Sequence, residues 1–244
     1  MIKVEGLCKS YNNGKVKAVQ DLDLVVPPGE IFGFLGPNGA GKTTTINIMV
    51  GLLKPDRGQV LIKGVDVRER PLEAKRQIGF VPDNPELYEG LTGVEYVNFM
   101  ADVFEVPAAA RRERVAELLE VFNLRDALGD LIKSYSRGMK QKIALIGALI
   151  HDPEVLILDE PMSGLDPRSA YVFKELMRRR CEAGKVVFFS THVLDVAERI
   201  CDRVAIINRG RLVAEGTVEE LRRQAGSSAT LERVFLELTE GTVE

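Results

Sequence analysis

The sequence predicts an α/β fold with a mostly parallel central sheet, and three observations support this prediction. A buried strand candidate at Ile31–Leu35 leads into a glycine-rich loop and then into a helix-like segment. Beyond residue 150, apolar strand-like runs alternate with helix-like runs, which is typical of parallel sheets flanked by helices. Between these two parts, residues 92–150 show hardly a strand candidate. We therefore predict one α/β domain with an inserted helical segment.

Length, charge and cysteine usage exclude several classes of protein. The chain has 244 residues, 45% of them hydrophobic, which is enough to bury the core of one domain. A formal net charge of −3 offers no basic surface for a nucleic acid, so no such partner is expected. The cysteines form no CxxC pair, which favours a reducing compartment and burial as small apolar side chains. They are Cys8, Cys181 and Cys201.

The sequence lacks the features of a secreted or membrane-spanning chain. Charged residues near Met1 occupy the place where a signal peptide needs an apolar core. A membrane-spanning helix needs about 20 mostly apolar residues in a row. The longest uninterrupted apolar run covers only residues 143–150. We therefore expect no membrane-spanning segment.

The remaining elements are predicted from apolar periodicity and turn residues. Strands are expected at 2–7, 16–20, 22–26, 59–63, Ile78–Val81, 155–158, 186–189, Arg203–Asn208 and 211–215. Helices are expected at 42–53, 167–181, 193–200 and 231–238. Thr92 with Glu95, and Thr217 with Glu220, have capping-box spacing at helix starts. One apolar helix face in the middle segment is formed by Val115, Leu118, Leu119 and Phe122.

The glycine-rich loop has the spacing of a phosphate-binding loop and lies between a strand and a helix, as that motif requires. Its residues are Gly36, Pro37, Asn38, Gly39, Ala40, Gly41, Lys42, Thr43 and Thr44. Glycines let backbone N–H groups surround phosphate oxygens, and a helix N-terminus adds about half a positive charge. Lys42 is expected to reach the β- and γ-phosphates and Thr43 to ligate Mg²⁺. The alternative is a glycine-rich turn before an ordinary helix.

Two acidic residues follow a second buried strand, at the sheet edge where ligands usually bind. Asp159 can hold Mg²⁺, and Glu160 can orient or deprotonate an attacking water. Together with the phosphate-binding loop, these acids predict a nucleotide-hydrolysing site. Without the loop, acidic residues that simply end a strand would explain the same pattern.

Further short motifs occur in a fixed order. They are Ser-Tyr-Ser-Arg-Gly-Met-Lys-Gln at 134–141, Ser-Gly-Leu-Asp at 163–166 and Ser-Thr-His at 190–192. With the phosphate-binding loop, this set resembles the nucleotide-binding domain of ABC transporters over essentially the whole chain. The resemblance implies a P-loop NTPase core with an N-terminal antiparallel β subdomain and an inserted helical subdomain. The implied boundaries are 1–91 and 151–224 for the core, 92–150 for the helical signature subdomain and 225–244 for a helical tail.

The resemblance also implies a head-to-tail dimer, of two copies or of this chain and a paralogue, that encloses two ATP molecules. Ser136, Arg137 and Gly138 would then contact the nucleotide of the other subunit, with Ser136 as a helix N-cap. His192 would contact the γ-phosphate, although a single histidine is often structural, which is the role expected of His151.

Two further residues keep two interpretations each. Tyr11 would stack on adenine, or it would simply pack between strands. Asp166 would shape the dimer interface, cap the helix that begins at Pro167, or do both.

Two positions depart from the family pattern. Arg137 stands where the family signature has a glycine. Asp83 replaces a glutamine that in the family touches Mg²⁺ and links the site to the membrane domain; a carboxylate can also reach Mg²⁺, directly or through water. Both departures resemble the ATPases of ABC-2-type exporters, which use a separately encoded transmembrane permease.

The implied function is ATP hydrolysis that drives transport in the export direction. The permease would hold this chain at the cytoplasmic face of the membrane. The alternative is a soluble ABC ATPase that acts on a protein assembly. The sequence does not indicate the transported substrate.

Overall fold

The computed structural model describes residues 1–224 and 230–240, and the strands in this part of the chain form two sheets. In chain order the strands are β1 (Ile2–Tyr11), β2 (Val16–Val26), β3 (Ile31–Leu35), β4 (Arg57–Ile62), β5 (Val65–Asp66), β6 (Ile78–Val81), β7 (Val155–Asp159), β8 (Val186–Thr191), β9 (Arg203–Asn208) and β10 (Arg211–Thr217). The helices are α1 (Lys42–Met49), α2 (Pro71–Arg76), α3 (Gly93–Val103), α4 (Ala108–Phe122), α5 (Arg137–Leu149), α6 (Pro167–Glu182), α7 (Leu194–Ile200), α8 (Val218–Gln224) and α9 (Leu231–Glu240). The predicted α/β fold is confirmed.

The first sheet is antiparallel and has the order β2-β1-β4-β5. It is the N-terminal antiparallel sheet that the resemblance implies. The sequence predicts two strands between residues 16 and 26, but the structure has the single strand β2. Asp21 takes a left-handed φ of 51°, and the register with β1 shifts beside it. The chain therefore bulges at Asp21 and continues as a strand instead of ending.

The second sheet has the order β10-β9-β3-β8-β7-β6 and is parallel except for the β9–β10 pair. Every residue of β3, β7 and β8 is buried, which explains their nearly continuous apolar sequences. Because these strands run in the same direction, their carboxyl ends lie at one edge. The register places Leu35 beside Thr191 and Asp159 beside Ser190 at that edge.

Residues 92–150 contain α3, α4 and α5, in agreement with the predicted helical character of this segment. Thr92 and Glu95 form the predicted capping box at the start of α3. The core of this segment is continuous with that of the parallel sheet, because Phe122 packs against Phe173 of α6 with ring centroids 6.0 Å apart. The predicted apolar face of α4 is present, with Val115 half-buried and Leu118, Leu119 and Phe122 buried.

Several predicted boundaries are wrong by a few residues. Helix α1 ends at Met49, not at residue 53, because Gly51 takes a φ of 70° and the chain turns. The two-residue strand β5 was not predicted, since it is too short to show a periodicity. The predicted capping pair at Thr217 is present. The N–H of Thr217 donates to Glu220 Oε2 at 2.8 Å, and the N–H of Glu220 donates to Thr217 Oγ1 at 3.1 Å. Within the predicted tail, residues 225–229 and 241–244 lie outside the described part of the chain.

The cysteines are all free thiols, but the prediction of full burial holds for only one of them. Cys181 is buried, whereas Cys8 and Cys201 are half-buried. Burial raises the pKa of the Cys181 thiol to about 11, so this thiol stays protonated at neutral pH.

Candidate active site

Segments that follow β3, β6, β7 and β8 meet at the carboxyl edge of the parallel sheet. The glycine-rich loop follows β3, Asp83 follows β6, Asp159 ends β7 with Glu160 directly after it, and His192 follows β8. Because β8 lies between β3 and β7, these segments are spatial neighbours although they are far apart in the sequence. Strand order therefore assembles the predicted motifs into one site.

The loop between β3 and α1 has a conformation that requires glycine. Gly39 and Gly41 have φ angles of 78° and 111°, and a Cβ at Gly41 would lie 2.2 Å from the carbonyl oxygen of Ala18. The N–H of Gly210 donates to the carbonyl oxygen of Ala40 at 2.8 Å and ties the loop to the β9–β10 turn. The loop is thus held in place at the N-terminus of α1, where phosphate groups bind.

Lys42 is a buried cation at the base of this loop. Its side-chain ammonium donates to the carbonyl oxygens of Gly36 at 2.7 Å and Pro37 at 3.3 Å. Burial lowers the pKa of Lys42, and the nearby charges of Glu160 and Asp159 oppose that shift. Because its hydrogen-bond partners are neutral carbonyl groups, an anionic phosphate would be a favourable further partner.

A pair of oxygen ligands lies beside Lys42. The hydroxyl of Thr43 donates to Asp159 Oδ2 at 2.9 Å, and the hydroxyl of Ser190 donates to Asp159 Oδ1. Among the described residues, no group of three or more His, Cys, Asp and Glu side chains could hold a metal by itself. A hydroxyl and a carboxylate fit Mg²⁺, which takes its other ligands from water and phosphate oxygens. Ser190 belongs to the Ser-Thr-His motif at 190–192, but the sequence alone indicated no role for it.

Glu160 and His192 are in direct contact. His192 Nδ1 lies 2.8 Å from Glu160 Oε1; the Glu160 side chain is 16% exposed and the His192 side chain 63%. Glu160 has a left-handed φ of 49°, and its N–H contacts the carbonyl and hydroxyl oxygens of Ser190, both at 3.2 Å. Such a conformation is uncommon for a residue other than glycine and occurs often at active sites. The carboxylate is therefore oriented from both its backbone and its side chain.

Lys42, Asp159 and Glu160 border a cavity of about 490 Å³, whereas His192 is not among its lining residues and joins the site through its contact with Glu160. The predicted residues that line it are Tyr11, Asn38, Gly39, Gly41, Lys42, Thr43, Thr44, Asp83, Asp159 and Glu160. Gly36, Pro37 and Ala40 form the back of the loop through the hydrogen bonds of their carbonyl oxygens. Tyr11 is 41% exposed, and its hydroxyl lies 3.5 Å from that of Thr44. Its side chain thus borders the cavity and is not buried in the core.

Five residues that were not predicted from the sequence also line this cavity. They are Val16, Lys17, Ala18, Gln20 and Arg209. The first four follow Tyr11 in the β1–β2 hairpin, so the assignment of Tyr11 could have indicated them. Arg209 has no sequence signal, because it reaches the cavity only through the pairing of β9 with β3.

The model of the family described as "ABC transporter" matches residues 19–163, more than half of the chain. This chain belongs to the ABC transporter family. It is 44% identical to an ABC transporter ATP-binding protein of Nostoc over 86% of its own length, and it spans 63% of that relative.

Two relatives in the ABC transporter family carry drug-resistance names. The chain is 42% identical to the daunorubicin/doxorubicin resistance ATP-binding protein DrrA of Streptomyces peucetius, over 93% of this chain and 68% of that protein. It is 36% identical to the linearmycin resistance ATP-binding protein LnrL of Bacillus subtilis, over 95% of this chain and 74% of that protein.

Solved structures of ABC proteins share the fold. A structure described as the ATP binding subunit of an ABC transporter aligns with a TM-score of 0.93 at 36% identity, over 98% of this chain and 99% of that one. A dimeric ATP-binding cassette in a post-hydrolysis state, bound to ADP and Pi, aligns with a TM-score of 0.80 at 27% identity, over 89% of this chain and 98% of that one. These alignments confirm the ABC-type ATPase fold predicted from the sequence.

The ABC signature segment lies at the start of α5, away from the cavity. The Ser136 hydroxyl accepts from the N–H of Met139 at 3.2 Å, so the predicted N-cap is present. Arg137 donates to the hydroxyl of Ser163 at 2.9 Å. None of Ser136, Arg137 and Gly138 lines the cavity. Within this one chain the structure does not bring the signature to the phosphate-binding loop.

Asp166 caps α6, as one of its two interpretations predicts. Its carboxylate accepts from the N–H and hydroxyl of Ser169 at 2.9 and 2.6 Å and pairs with Lys142 at 2.8 Å. Lys142 and Ser169 hold the pKa of Asp166 well below its usual range.

Among the helices described for this ABC family chain, none has the length and apolar character that crossing a bilayer requires.

Proposed function

We propose that this chain binds MgATP in the cavity of about 490 Å³ and hydrolyses it, and that hydrolysis powers transport through a separately encoded transmembrane permease. One observation carries the proposal. Lys42, the Thr43–Asp159 pair and Glu160 border a single cavity, and His192 contacts Glu160. These are the groups that phosphoryl transfer to water needs, since positioning and charge stabilisation dominate its catalysis.

Nucleotide binding follows from the groups along the cavity. Tyr11 stacks on the adenine, the loop N–H groups of 36–44 surround the phosphates, and Lys42 binds the β- and γ-phosphate oxygens. Thr43 and Asp159 would hold Mg²⁺, with Asp83 as a further oxygen ligand at the same cavity. Bound Mg²⁺ would neutralise charge on the phosphate oxygens.

Hydrolysis needs one general base and one group that contacts the γ-phosphate. Glu160 orients the attacking water and takes its proton while the water oxygen bonds to the γ-phosphorus and the bond to the β-phosphate oxygen breaks. His192 keeps the Glu160 carboxylate in place through Nδ1, and its other ring nitrogen, Nε2, contacts the γ-phosphate.

We further propose that two such subunits, identical or paralogous, close head to tail around two nucleotides. Ser136 and Gly138 of one subunit would then face the nucleotide of the other, with Arg137 beside them and bonded to Ser163 of its own chain, and Asp166 would lie near the interface. The position of the signature outside the cavity of its own chain supports this arrangement, as does the dimeric state of a solved relative. Segment 92–150, as a helical signature subdomain, would transmit closure to the permease.

Export is the proposed direction of transport. Relatives with drug-resistance names and the family departures at Arg137 and Asp83 support it. The chain would then act at the cytoplasmic face of the membrane, attached through the permease.

Replacing Glu160 with Gln tests the hydrolytic role. E160Q keeps the shape of the side chain but not its basicity, so kcat should fall by about 10³-fold. MgATP binding should persist, and stable dimers should accumulate in size-exclusion chromatography with light scattering. E154Q is the matched control, because Glu154 precedes β7 at its other end and pairs with Lys63. Full hydrolysis by E160Q would refute the role of Glu160.

The transport role has a separate test. The tagged chain is purified from native membranes in mild detergent, and its partners are identified by mass spectrometry. A multi-span protein in roughly equal amount would support transport and identify the permease. Recovery with soluble partners alone would favour the alternative, a soluble ABC ATPase that acts on a protein assembly.

A further inference from the structure

The loop of residues 160–166 joins the catalytic strand β7 to α6 and is folded into tight turns. The N–H of Ser163 donates to the carbonyl oxygen of Glu160 at 3.1 Å, and the N–H of Leu165 donates to that of Met162 at 3.3 Å. Glu160 itself has the left-handed φ of 49° described above. A strained backbone of this kind persists only where its surroundings hold it. The contacts made by this loop therefore bear on the orientation of Glu160.

Helix α5 contacts this loop at successive points. Arg137 Nη2 donates to Ser163 Oγ at 2.9 Å. Gln141 Nε2, almost fully buried, donates to the carbonyl oxygen of Pro161 at 3.3 Å. Arg137 and Gln141 are four residues apart and so share a helix face, with Lys142 next to it. We call Arg137, Gln141 and Lys142 the α5 clamp; the Lys142 contact is its ion pair with Asp166.

The backbones of helix and loop also approach closely. A Cβ at Gly138 would lie 2.6 Å from the carbonyl oxygen of Gly164, so a larger residue would push the loop away. Gly164 has a φ of 78°, which allows the loop to turn at this point. The backbone of the loop is therefore already restricted by its close contact with α5. A side-chain hydrogen bond from the α5 clamp can then hold the loop in one position.

Ser163 connects the clamp to Glu160. Its hydroxyl accepts from Arg137, and its N–H donates to the carbonyl oxygen of Glu160. The family signature has a glycine in place of Arg137, and a glycine could not make this contact. The guanidinium is therefore engaged with its own chain, although its place in the signature suggests a role toward a partner's nucleotide.

We infer that Arg137 is a positioning residue for Glu160: through Ser163 it holds the 160–166 loop so that the Glu160 carboxylate faces the attacking water. This inference rests on the proposed ATPase function. Gln141 and Lys142 contact the same loop near its two ends, at Pro161 and Asp166. Loss of the Arg137–Ser163 contact leaves the nucleotide-binding groups of the cavity untouched, so it slows the chemical step and not the binding step.

The test is a double-mutant cycle on Arg137 and Ser163. R137A keeps the helix, and S163A removes only the hydroxyl. Each is expected to lower kcat by about tenfold with the KM for ATP unchanged. R137A/S163A should be no slower than either single variant, because both remove the same contact. R137K, which can still donate one hydrogen bond, should recover part of the rate.

The matched control is K140M. Lys140 lies on the same helix and pairs with Glu89, away from the loop, so this variant should keep the wild-type kcat. Thermal melting of each variant shows whether it is folded.

The outcomes separate three cases. An unchanged kcat in R137A and S163A would overturn the clamp while the ATPase stands. A raised KM in R137A that persists in the S163A background would overturn it too, in favour of direct contact between Arg137 and nucleotide. A wild-type chain without ATPase activity would overturn the proposed function and the clamp together.

Discussion

Two cavities of nearly equal size lie at opposite ends of the parallel strands, and they differ in how their charges are paired. The cavity at the carboxyl end has a volume of about 490 Å³ and contains Lys42, Asp159 and Glu160. The groove at the amino end has a volume of about 500 Å³ and is lined by residues of α4 and α6 and by Asp152, three residues before β7. Volume alone does not tell which of them is functional.

At the amino end the carboxylate is saturated with cations. Asp152 pairs with Arg180 at 3.0 Å, with Arg114 at 4.0 Å and with Lys185. Burial would raise the pKa of Asp152, but Lys185 and Arg180 outweigh that effect and lower it. Arg114, Arg180 and Lys185 of this groove are thus paired with an acid of the same chain, as in a structural site.

At the carboxyl end the charges are not neutralised in this way. Lys42 is bonded to neutral carbonyl groups, Asp159 to two hydroxyls and Glu160 to the ring of His192. Charged groups without a saturating counter-charge keep their capacity to bind phosphate and metal. The comparison therefore predicts that substitutions at the carboxyl end change activity, whereas those at the amino end change stability.

Asp159 should give the largest effect. D159N keeps a hydrogen-bonding side chain but loses the negative charge, so kcat should fall by more than about 100-fold and more Mg²⁺ should be required. Thermal stability should be unchanged or higher, because a carboxylate that is 3% exposed no longer pays for its desolvation. ATPase assays over a Mg²⁺ titration and thermal melting check both points. A full rate, or a large loss of stability, would contradict the comparison.

His151 should make the amino end sensitive to acid. Its ring stacks on Phe104 with centroids 3.6 Å apart, and Nε2 donates to the carbonyl oxygen of Ile78 at 3.1 Å. Burial lowers the pKa of His151 from 6.5 to about 4; the hydrogen bond to Ile78 and the charge of Asp152 oppose this shift, and Arg180 and Arg114 add to it. The structural role predicted for His151 agrees with these contacts.

The sign of the pH effect follows from the lowered pKa. The unfolded chain binds a proton on His151 near pH 6.5 and the folded chain only near pH 4, so stability is present above 6.5 and is lost between these values. Between pH 7.5 and 5, this group should cost the wild type about 2 kcal/mol of unfolding free energy. Urea unfolding at both pH values, with H151F as comparison, measures it. Equal losses in both proteins would contradict the prediction.

Asp152 should give a smaller effect, on stability alone. Because its side chain is 43% exposed, solvent screens the ion pairs, and D152N should cost only about 1–2 kcal/mol. The kcat for ATP should stay at the wild-type value at temperatures well below the melting point. E120Q is the matched control, since Glu120 forms a more exposed pair with Arg125 and should leave stability unchanged. A fall in kcat without a fall in stability would reverse the comparison.

Tyr11 should give an effect of about the same size in free energy, on nucleotide binding alone. Y11A removes the proposed stacking partner of adenine and should weaken ATP binding by about tenfold. The kcat at saturating ATP should be retained. Among the phosphate-binding residues, the described contacts of Tyr11 reach only Thr44. Isothermal titration with ATP checks this, with Y171A on the exposed face of α6 as control. Unchanged affinity would remove Tyr11 from the site.

The elements that the sequence predicted well are those with a local cause. The glycine-rich loop has residues whose φ angles only glycine adopts easily, and the capping pairs at Thr92 and Thr217 lie within one helical turn. The buried strands β3, β7 and β8 are short apolar runs. In contrast, the break predicted within β2 is absent, because pairing with β1 carries the strand through Asp21.

By itself the sequence determined which residues can bind phosphate and activate water, because glycine spacing, carboxylate placement and apolar periodicity are written into neighbouring positions. Tertiary structure alone decided which distant groups join them. Ser190 reaches Asp159 through the pairing of β7 with β8, Arg209 reaches the cavity through β9, and Arg137 reaches Ser163 through the packing of α5. Such contacts depend on strand order and helix packing, which bring together residues whose separation along the chain carries no local signal.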